Sequence, residues 1–456
     1  MRRWRLNALF GYVLALLICG TAITLSSLPA DARDFYVAAN GSDWHSGKTM
    51  ASPWRSLSKV NSHYFQPGDV VHFRRGDVWE ERLLLQNAGS PTLPITYADY
   101  GVGEKPTIGE VYHMPYLANA DWNVIENLRI SGFRKHGVEI HDIEHLTIRN
   151  CYIFGCKSRG IQADKNCNYL LVEDAEIYDT TDRGTWVTNS DHVTFRRVTA
   201  SYCGIRSEIV NQNGINLGTG KDIVVEYCVV HDNTNGIDVG GSKDNDVTIR
   251  YNLAYRNADS GIVVGHPLGR AFVYGNVTYE NNIGILVKSS ANAYLYNNTV
   301  SKNTVYGLQL STTGEVVVKN NIVYKNGEPN GFNILCLAPG QTLTSDYNLI
   351  SDHSFRSLGA AINTHEYHES MTLAEWKASR CGKFDQHSLN LDPMFVDKSN
   401  NNFALRKDSP CINAGVDLGV PYNYALLPGS VWPDGVRTGN QGDFSPWEIG
   451  AYIYSP

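Results

Sequence analysis

The chain has 456 residues, 42% hydrophobic and 19% charged, enough to build a large buried core. Lys plus Arg total 39 against 46 for Asp plus Glu, a formal charge of −7 that leaves no basic footprint for a nucleic-acid partner. The 26 Tyr, 14 Phe and 9 Trp fill cores and strands, with some rings left over to stack on sugars.

Met1 to Arg5 is a basic start, and Ala8 to Ile23 is a mostly apolar run too short to span a bilayer. Ala30-Asp31-Ala32 then fits a signal-peptidase site. Residues 1–32 are therefore expected to be a signal peptide cleaved after Ala32, giving a secreted or periplasmic chain without a stable membrane anchor. Ile18 before Cys19 argues against a lipoprotein signal. No C-x-x-C pair is present to suggest zinc. Cys151 and Cys228 read as small buried residues, while Cys381 and Cys411 flank an irregular segment where a disulfide is open.

Residues 33–122 read as an N-terminal cap and the first coils. Asp34 to Asp43 reads as a strand followed by a turn, and Ser52-Pro53-Trp54 introduces a short helix over about Arg55 to Ser62, with Leu57 and Val60 on one face. Turns at Pro67-Gly68-Asp69 and Arg75-Gly76-Asp77 bracket Val70 to Phe73, and Leu83 to Leu85 and Pro94 to Tyr97 read as the first coil strands. A coil end exposes unpaired strand groups, and a short amphipathic helix can cover them.

From 123 to 348 one pattern repeats. Gly137, Gly160, Gly184, Gly214, Gly236, Gly261, Gly284 and Gly307 each open a run of the Gly-Ile-x-Val type, at gaps of 23, 24, 30, 22, 25, 23 and 23 residues. A fixed period of that size, with two or three short Val- and Ile-rich alternating runs per unit, marks a β-solenoid with one turn per repeat. An Asn recurs at a bend (Asn127, Asn150, Asn252, Asn276, Asn298, Asn321), where it tolerates left-handed backbone and can bond along the stack. Together these features resemble the right-handed parallel β-helix of pectate lyases and polygalacturonases, over about Asn123 to Asn348. The expected fold is all-β: a right-handed parallel β-helix with an N-terminal helical cap and an irregular C-terminal cap. The block from Tyr36 to Trp79 and the tail from 349 to 456 resemble the caps of secreted bacterial β-helix proteins. Thr372-Leu373-Ala374-Glu375 is a capping box for a helix to about Arg380. The tail is expected to lean over the groove.

Counting from each Gly, positions +1 and +3 are apolar and point inward, so −1, +2 and +4 form one outer face. In the first five coils that face gathers His136, Glu139, His141, Arg159, Gln162, Asp164, Arg183, Trp186, Asn213, Asn216 and Asp238; the later coils are bland. We read this end as a groove for an extended polysaccharide, with the long gap around Ile205 to Gln212 supplying a loop beside it. His141, Arg159 and Arg183 are the candidate catalytic residues; His136, Glu139, Asp164, Trp186, Asn213, Asn216 and Asp238 are candidate substrate ligands.

The resemblance implies an acidic polysaccharide and β-elimination: a base takes the proton next to a uronate carboxylate and cations hold the enolate. In pectate lyases calcium on aspartates supplies that charge, which makes calcium a candidate cofactor here. Asp164 and Asp238, three coils or about 14 Å apart, do not share one ion. Asp244 and Asp246 near Lys243 offer a separate cation site or a solvated turn. Hydrolysis is the rival. Asn233-Thr234-Asn235-Gly236-Ile237-Asp238 looks like the Asn-Thr-Asp-Gly motif of polygalacturonases, but Asn235 replaces its Asp. Ala258-Asp259-Ser260 and Gly265-His266-Pro267 depart further from that family's motifs. Glu139 and Asp164, on adjacent coils at about 7–9 Å, form an alternative inverting pair. A uronan C5-epimerase and a non-catalytic glycan-binding β-helix complete the alternatives. The chain is expected to act as a monomer.

Overall fold

The computed structural model describes residues 32–455 except 115–118, 205–211, 242–245, 266–268, 329–330, 337–341, 352–354, 358–367, 379–383 and 445. The expected signal peptide (but for Ala32), the Ile205–Asn211 loop, Lys243, Asp244, His266 and Cys381 lie outside the described residues. The chain winds into a right-handed parallel β-solenoid. Its first wall is a sheet of 13 parallel strands, from Asp34–Val37 to Thr342–Asp346. The second wall runs through Arg129–Ser131, Tyr152–Cys156 and Glu176–Thr180 to Leu349–Ile350, and the third through Val138–His141, Ile161–Asp164, Thr185–Thr188, Asn213–Leu217, Asn235–Val239 and Phe332–Cys336 to Phe355–Ser357. In the first coils, strands Val78–Leu84 and Thr107–Tyr112 serve both of these walls: Thr107–Tyr112 pairs with Arg129–Ser131 and with Val138–His141. No helix among the described residues is long and apolar enough to cross a membrane.

The alternation read from sequence sets the core. Val138, Ile140, Ile161, Ala163, Ile215, Leu217, Ile237 and Val239 of the third wall are buried to within 1%. Outside the first wall, Glu126, Arg149, Glu173, Arg196, Glu226 and Arg250 stand in one register, alternating in charge from coil to coil. Arg196 and Arg250 both hold Glu226, at 2.7 and 2.6 Å. A one-rung slip would set like charges together, so the ladder specifies register as well as adding modest stability.

The repeated glycines answer a close approach, not a turn. A Cβ on Gly236 would lie 2.5 Å from the carbonyl oxygen of Gly261, and one on Gly261 2.8 Å from that of Gly284. The expected Asn column divides in two. Asn127 and Asn150 have φ of 59° and 50°, the first half-buried and the second exposed, with the Asn150 amide donating to Asn127. Asn252, Asn276, Asn298, Asn321 and Asn348 sit one position later, fully buried, each backbone N–H donating to the next Asn side chain up to Asn348. The left-handed residue in those coils precedes the Asn (Tyr251, Asn297, Asn320, Tyr347). A one-residue offset thus separates a residue chosen for φ from one chosen to bond a buried corner. A second buried ladder, Asn233, Asn257, Asn281, Asn303, Asn326 and Asn333, lines the corner before the third wall.

The first helix covers Leu57–Asn61, capped by Ser56, whose side chain accepts from Lys59 N, and it buries Leu57 and Val60. It starts later than expected because Asp43 takes the N–H groups of Arg55 and Ser56, leaving Ser56 as the cap. The second helix, Leu373–Ala378, carries the reciprocal Thr372–Glu375 bonds and adds Leu373 and Trp376 to the solenoid core. The described part of the tail from Phe395 onward does not lean over the groove; it packs along the second wall and the Asn corner beside it: Phe403 against Tyr279, Trp432 Nε1 donating to Tyr251 O, and Ala451 N to Thr299 Oγ1. The apolar outer residues there, Val277, Ile322 and Leu349, form a second core with Phe395, Leu426 and Ile449. Burying them is what draws the tail to that side.

Candidate functional site

The residues picked at −1, +2 and +4 meet on the third wall. Strand register sets Glu139 beside Gln162 and Gln162 beside Trp186, with His141 beside Asp164 and Asp164 beside Thr188. Higher up, Asn213 lies beside Asn235 and Asn216 beside Asp238. Outward orientation does not leave all of them open. His136, Glu139, His141 and Asn213 are each under 9% exposed, because long neighbours fold across them. The end of the face read as an open groove is a packed ionic network.

Its centre is His141. Nδ1 bonds Asp164 Oδ1, and Nε2 lies 3.8 Å from Glu139 Oε1. At that distance the second contact is an ion pair, not a hydrogen bond, and Nε2 is buried without a bonding partner. Glu139 and its hydrogen-bonded neighbour Asp164 raise the imidazole pKa against burial. In return His141, with Lys135 at 3.2 Å, holds Glu139 down to about 2 despite its burial. His136 is pushed down to about 4 by burial, and its Nδ1 accepts from Arg159 N at 3.3 Å, so it is neutral with its proton on Nε2. The proposed inverting pair therefore shares one imidazole, and Glu139 is held ionised, which suits a base or clamp and not a proton donor.

One coil on, Asp182 accepts from Arg159 Nε at 2.8 Å and from Arg183 at 3.3 Å. Both guanidinium groups lie over Trp186, at 5.1 and 4.5 Å from the ring centroid. Arg159 also donates to Gln162, which donates to Asp164 at 3.0 Å and so joins the two halves. Burial lowers the Arg183 pKa, and its Nε has no partner.

Beyond Trp186 a cavity of about 460 Å³ opens, lined by Arg183, Trp186, Asn213, Asn216, Asp238 and Lys288, with Thr188 and Gly218 to its side. Asp238 accepts from Asn213 Nδ2 at 3.0 Å, and Asn213 in turn accepts from Asn235 at 2.9 Å. Lys288 reaches this space because Gly265 lies beneath it: a Cβ there would stand 2.6 Å from Lys288 Cε. Sequence reasoning passed over Lys288, in a bland coil, and gave Asp182 no role. The signal was present for Lys288 in the small +4 residues Gly218, Gly240 and Gly265, which leave room for one long chain. Among the described residues no three His, Cys, Asp or Glu side chains converge as a cation's ligands. Such an arrangement can hold an anionic sugar between two cations, stack it on Trp186, and hydrogen-bond it through Asn213 and Asn216.

Comparison with known proteins fits this architecture. The sequence model of the family described as "Right handed beta helix region" matches residues 115–248 and 213–373. An uncharacterised protein of Bacillus subtilis (strain 168), YwoF, is 25% identical over 497 residues, covering 90% of this chain and 99% of that one. A lacto-N-biosidase of Bifidobacterium longum subsp. longum is 28% identical over 184 residues, 38% of this chain; the match spans only 10% of that protein. Among solved structures, a lacto-N-biosidase from Eubacterium ramulus superposes with a TM-score of 0.42 at 14% identity, over 68% of this chain and 67% of that one. A pectate lyase does so with 0.44 at 15% identity, over 86% and 94%.

Proposed function

The chain belongs to the right-handed β-helix family, and from that premise we propose that it is a carbohydrate-active enzyme that cleaves an acidic polysaccharide by β-elimination at the cavity beyond Trp186. One observation carries the reading: Arg183 and Lys288 line the same cavity, while its carboxylate, Asp238, is engaged by Asn213. The cavity thus offers a uronate two cations and one hydrogen-bonded anion. Arg183 clamps the carboxylate and holds the charge that grows on it as the enolate forms. Lys288 is the better base, because an ammonium gives up its proton far more readily than a guanidinium. In its neutral form it takes the proton next to the carboxylate; that electron pair becomes the new C=C bond and expels the glycosidic oxygen, which is protonated by solvent water. His141, Arg159 and the rest of the buried network orient Arg183 and Trp186 and bind neighbouring sugar residues.

Hydrolysis is the second reading, favoured by the local likeness to a lacto-N-biosidase. It requires a proton donor, a role for which ionised Glu139 is unsuited. One assay separates the two. The full chain is incubated with polygalacturonate, alginate and a neutral xylan, following both the ultraviolet absorbance of unsaturated uronate and reducing ends. Elimination gives both signals on a uronate polymer, and Lys288→Ala or Arg183→Ala lowers both at least about 100-fold with the fold retained. Reducing ends without the absorbance, or unchanged rates in both variants, sink the lyase reading.

A further inference from the structure

The third wall continues below the network. Leu84 stands beside Tyr112 and Tyr112 beside Glu139, so the first two coils extend the same strip toward the N-terminal end. A cavity of about 690 Å³ lies there, lined by Ser58, Asn61, Arg82, Leu84, Tyr112 and Arg134, with Glu81 at its edge. Arg82 is held on two sides. Its Nε donates to Glu110, whose side chain is wholly buried, and its guanidinium carbon lies 4.5 Å from the Tyr112 ring centroid. The remaining nitrogens take no partner among the described residues, and the side chain is 38% exposed. Arg134 is exposed, and its recorded contact is the Phe133 ring at 5.6 Å, with no carboxylate in ion-pair reach among the described residues. Glu81 is engaged by Ser58 N at 3.1 Å. Between this cavity and Trp186 every acidic group on the strip is matched: Glu139 by Lys135, Asp164 by His141, Asp182 by Arg159 and Arg183.

We propose that Arg82, Tyr112 and Arg134 form a second anion-recognising subsite, which takes the carboxylate of a sugar residue on the same polymer that is cleaved beside Trp186. The proposal rests on the acidic-substrate reading above. Arg82 is preorganised for it: Glu110 and the Tyr112 ring fix the guanidinium plane before any ligand arrives, so little side-chain entropy is lost on binding. Arg134 supplies charge that nothing in the described protein neutralises. Tyr112 stands three rungs from Trp186, about 14 Å along the wall. A polymer filling both cavities is held at two points, and the second contact gains from the effective concentration the first one sets. Affinity then depends on chain length, and cleavage falls inside the polymer in preference to its ends.

The test is calorimetric titration of the full chain with short and long oligomers of polygalacturonate and of alginate, binding being read apart from turnover. Affinity is expected to rise with length until an oligomer spans both cavities. Arg134→Glu, at an exposed position, is expected to weaken the long oligomers about tenfold or more and leave the shortest unchanged. Arg183→Ala should weaken long and short alike. Arg82→Lys, which keeps the Glu110 pair but loses the planar fork, should resemble Arg134→Glu in a milder form. Affinity independent of length, or an Arg134→Glu loss equal for short and long oligomers, overturns the subsite while leaving the Trp186 cavity standing. No binding at any length overturns both readings together.

Discussion

Asp182 fixes two cations at once, and both lie over Trp186. Without its charge Arg159 keeps Gln162 as a partner, whereas among the described residues no other carboxylate bonds Arg183. Asp182→Asn keeps the shape and removes the charge. We expect kcat/KM on the preferred uronate polymer to fall about 10- to 100-fold, while the part-exposed pair costs about 1 kcal/mol of stability or less. Steady-state kinetics beside a melting curve check this; activity within twofold of the parent would show that Arg183 does not need Asp182. The columns holding these residues were legible because a strand alternates strictly and the repeat aligns each coil with the next. Which members would be covered was not. That depends on how Arg159, Gln162 and Lys135 fold across their neighbours, and side-chain direction beyond Cβ has no period to read.

At the scale of the coil, two kinds of buried corner residue hold successive turns together. Asn257 accepts from Asn233 N and donates from its own N–H to Asn281 Oδ1, and its Nδ2 reaches Val230 O and Asn281 Oδ1. Asn257→Ala leaves two buried backbone groups, the Asn233 N–H and the Val230 carbonyl, short of a bond and is expected to cost about 2–4 kcal/mol. Asn127→Ala, at a half-buried bend, should cost less than about 1 kcal/mol, chiefly from its left-handed φ of 59°. Gly261→Ala drives a Cβ into the Gly284 carbonyl and the Asn281 amide, both at 2.8 Å, and should cost about 1–3 kcal/mol although its φ is not left-handed. Urea unfolding of the three variants tests the ranking, and equal losses for Asn257 and Asn127 would refute it. The sequence revealed the period of both residue types but merged two Asn positions into one. Asn suits a left-handed bend and a buried ladder equally well, and only the offset from the strand separates the two uses. The second ladder went unread because its Asn residues precede the glycines by only a few positions and look like part of the same turn.

Over the whole molecule, the tail turns an exposed wall of tyrosines and aliphatics into a second core, and a carboxylate sits in the join. Glu448 is 2% exposed, its Oε2 has no bonding partner, and its backbone carbonyl accepts from Asn297 Nδ2 of the solenoid at 3.0 Å. Burial pushes its pKa up to about 7, outweighing the backbone N–H groups of Glu448 and Tyr454 that pull it down. The native state thus holds a proton that an unfolded chain has released by the usual carboxylate range, and stability falls as pH rises from about 4.5 to 7 and levels off above that. The full difference corresponds to about 3 kcal/mol. Because the tail contacts the solenoid along one side, the loss is expected in tail docking before it reaches the coils, which are held by their own ladders. Urea midpoints of the parent chain should therefore drop between about pH 5 and about pH 8, with tail amides losing hydrogen-exchange protection first. Glu448→Gln carries no titratable proton and should flatten that dependence while matching the parent at low pH. A parent chain whose tail protection is the same at both pH values would mean that the Glu448 carboxylate is solvated on docking, and the tail would then be held by its aromatic contacts alone.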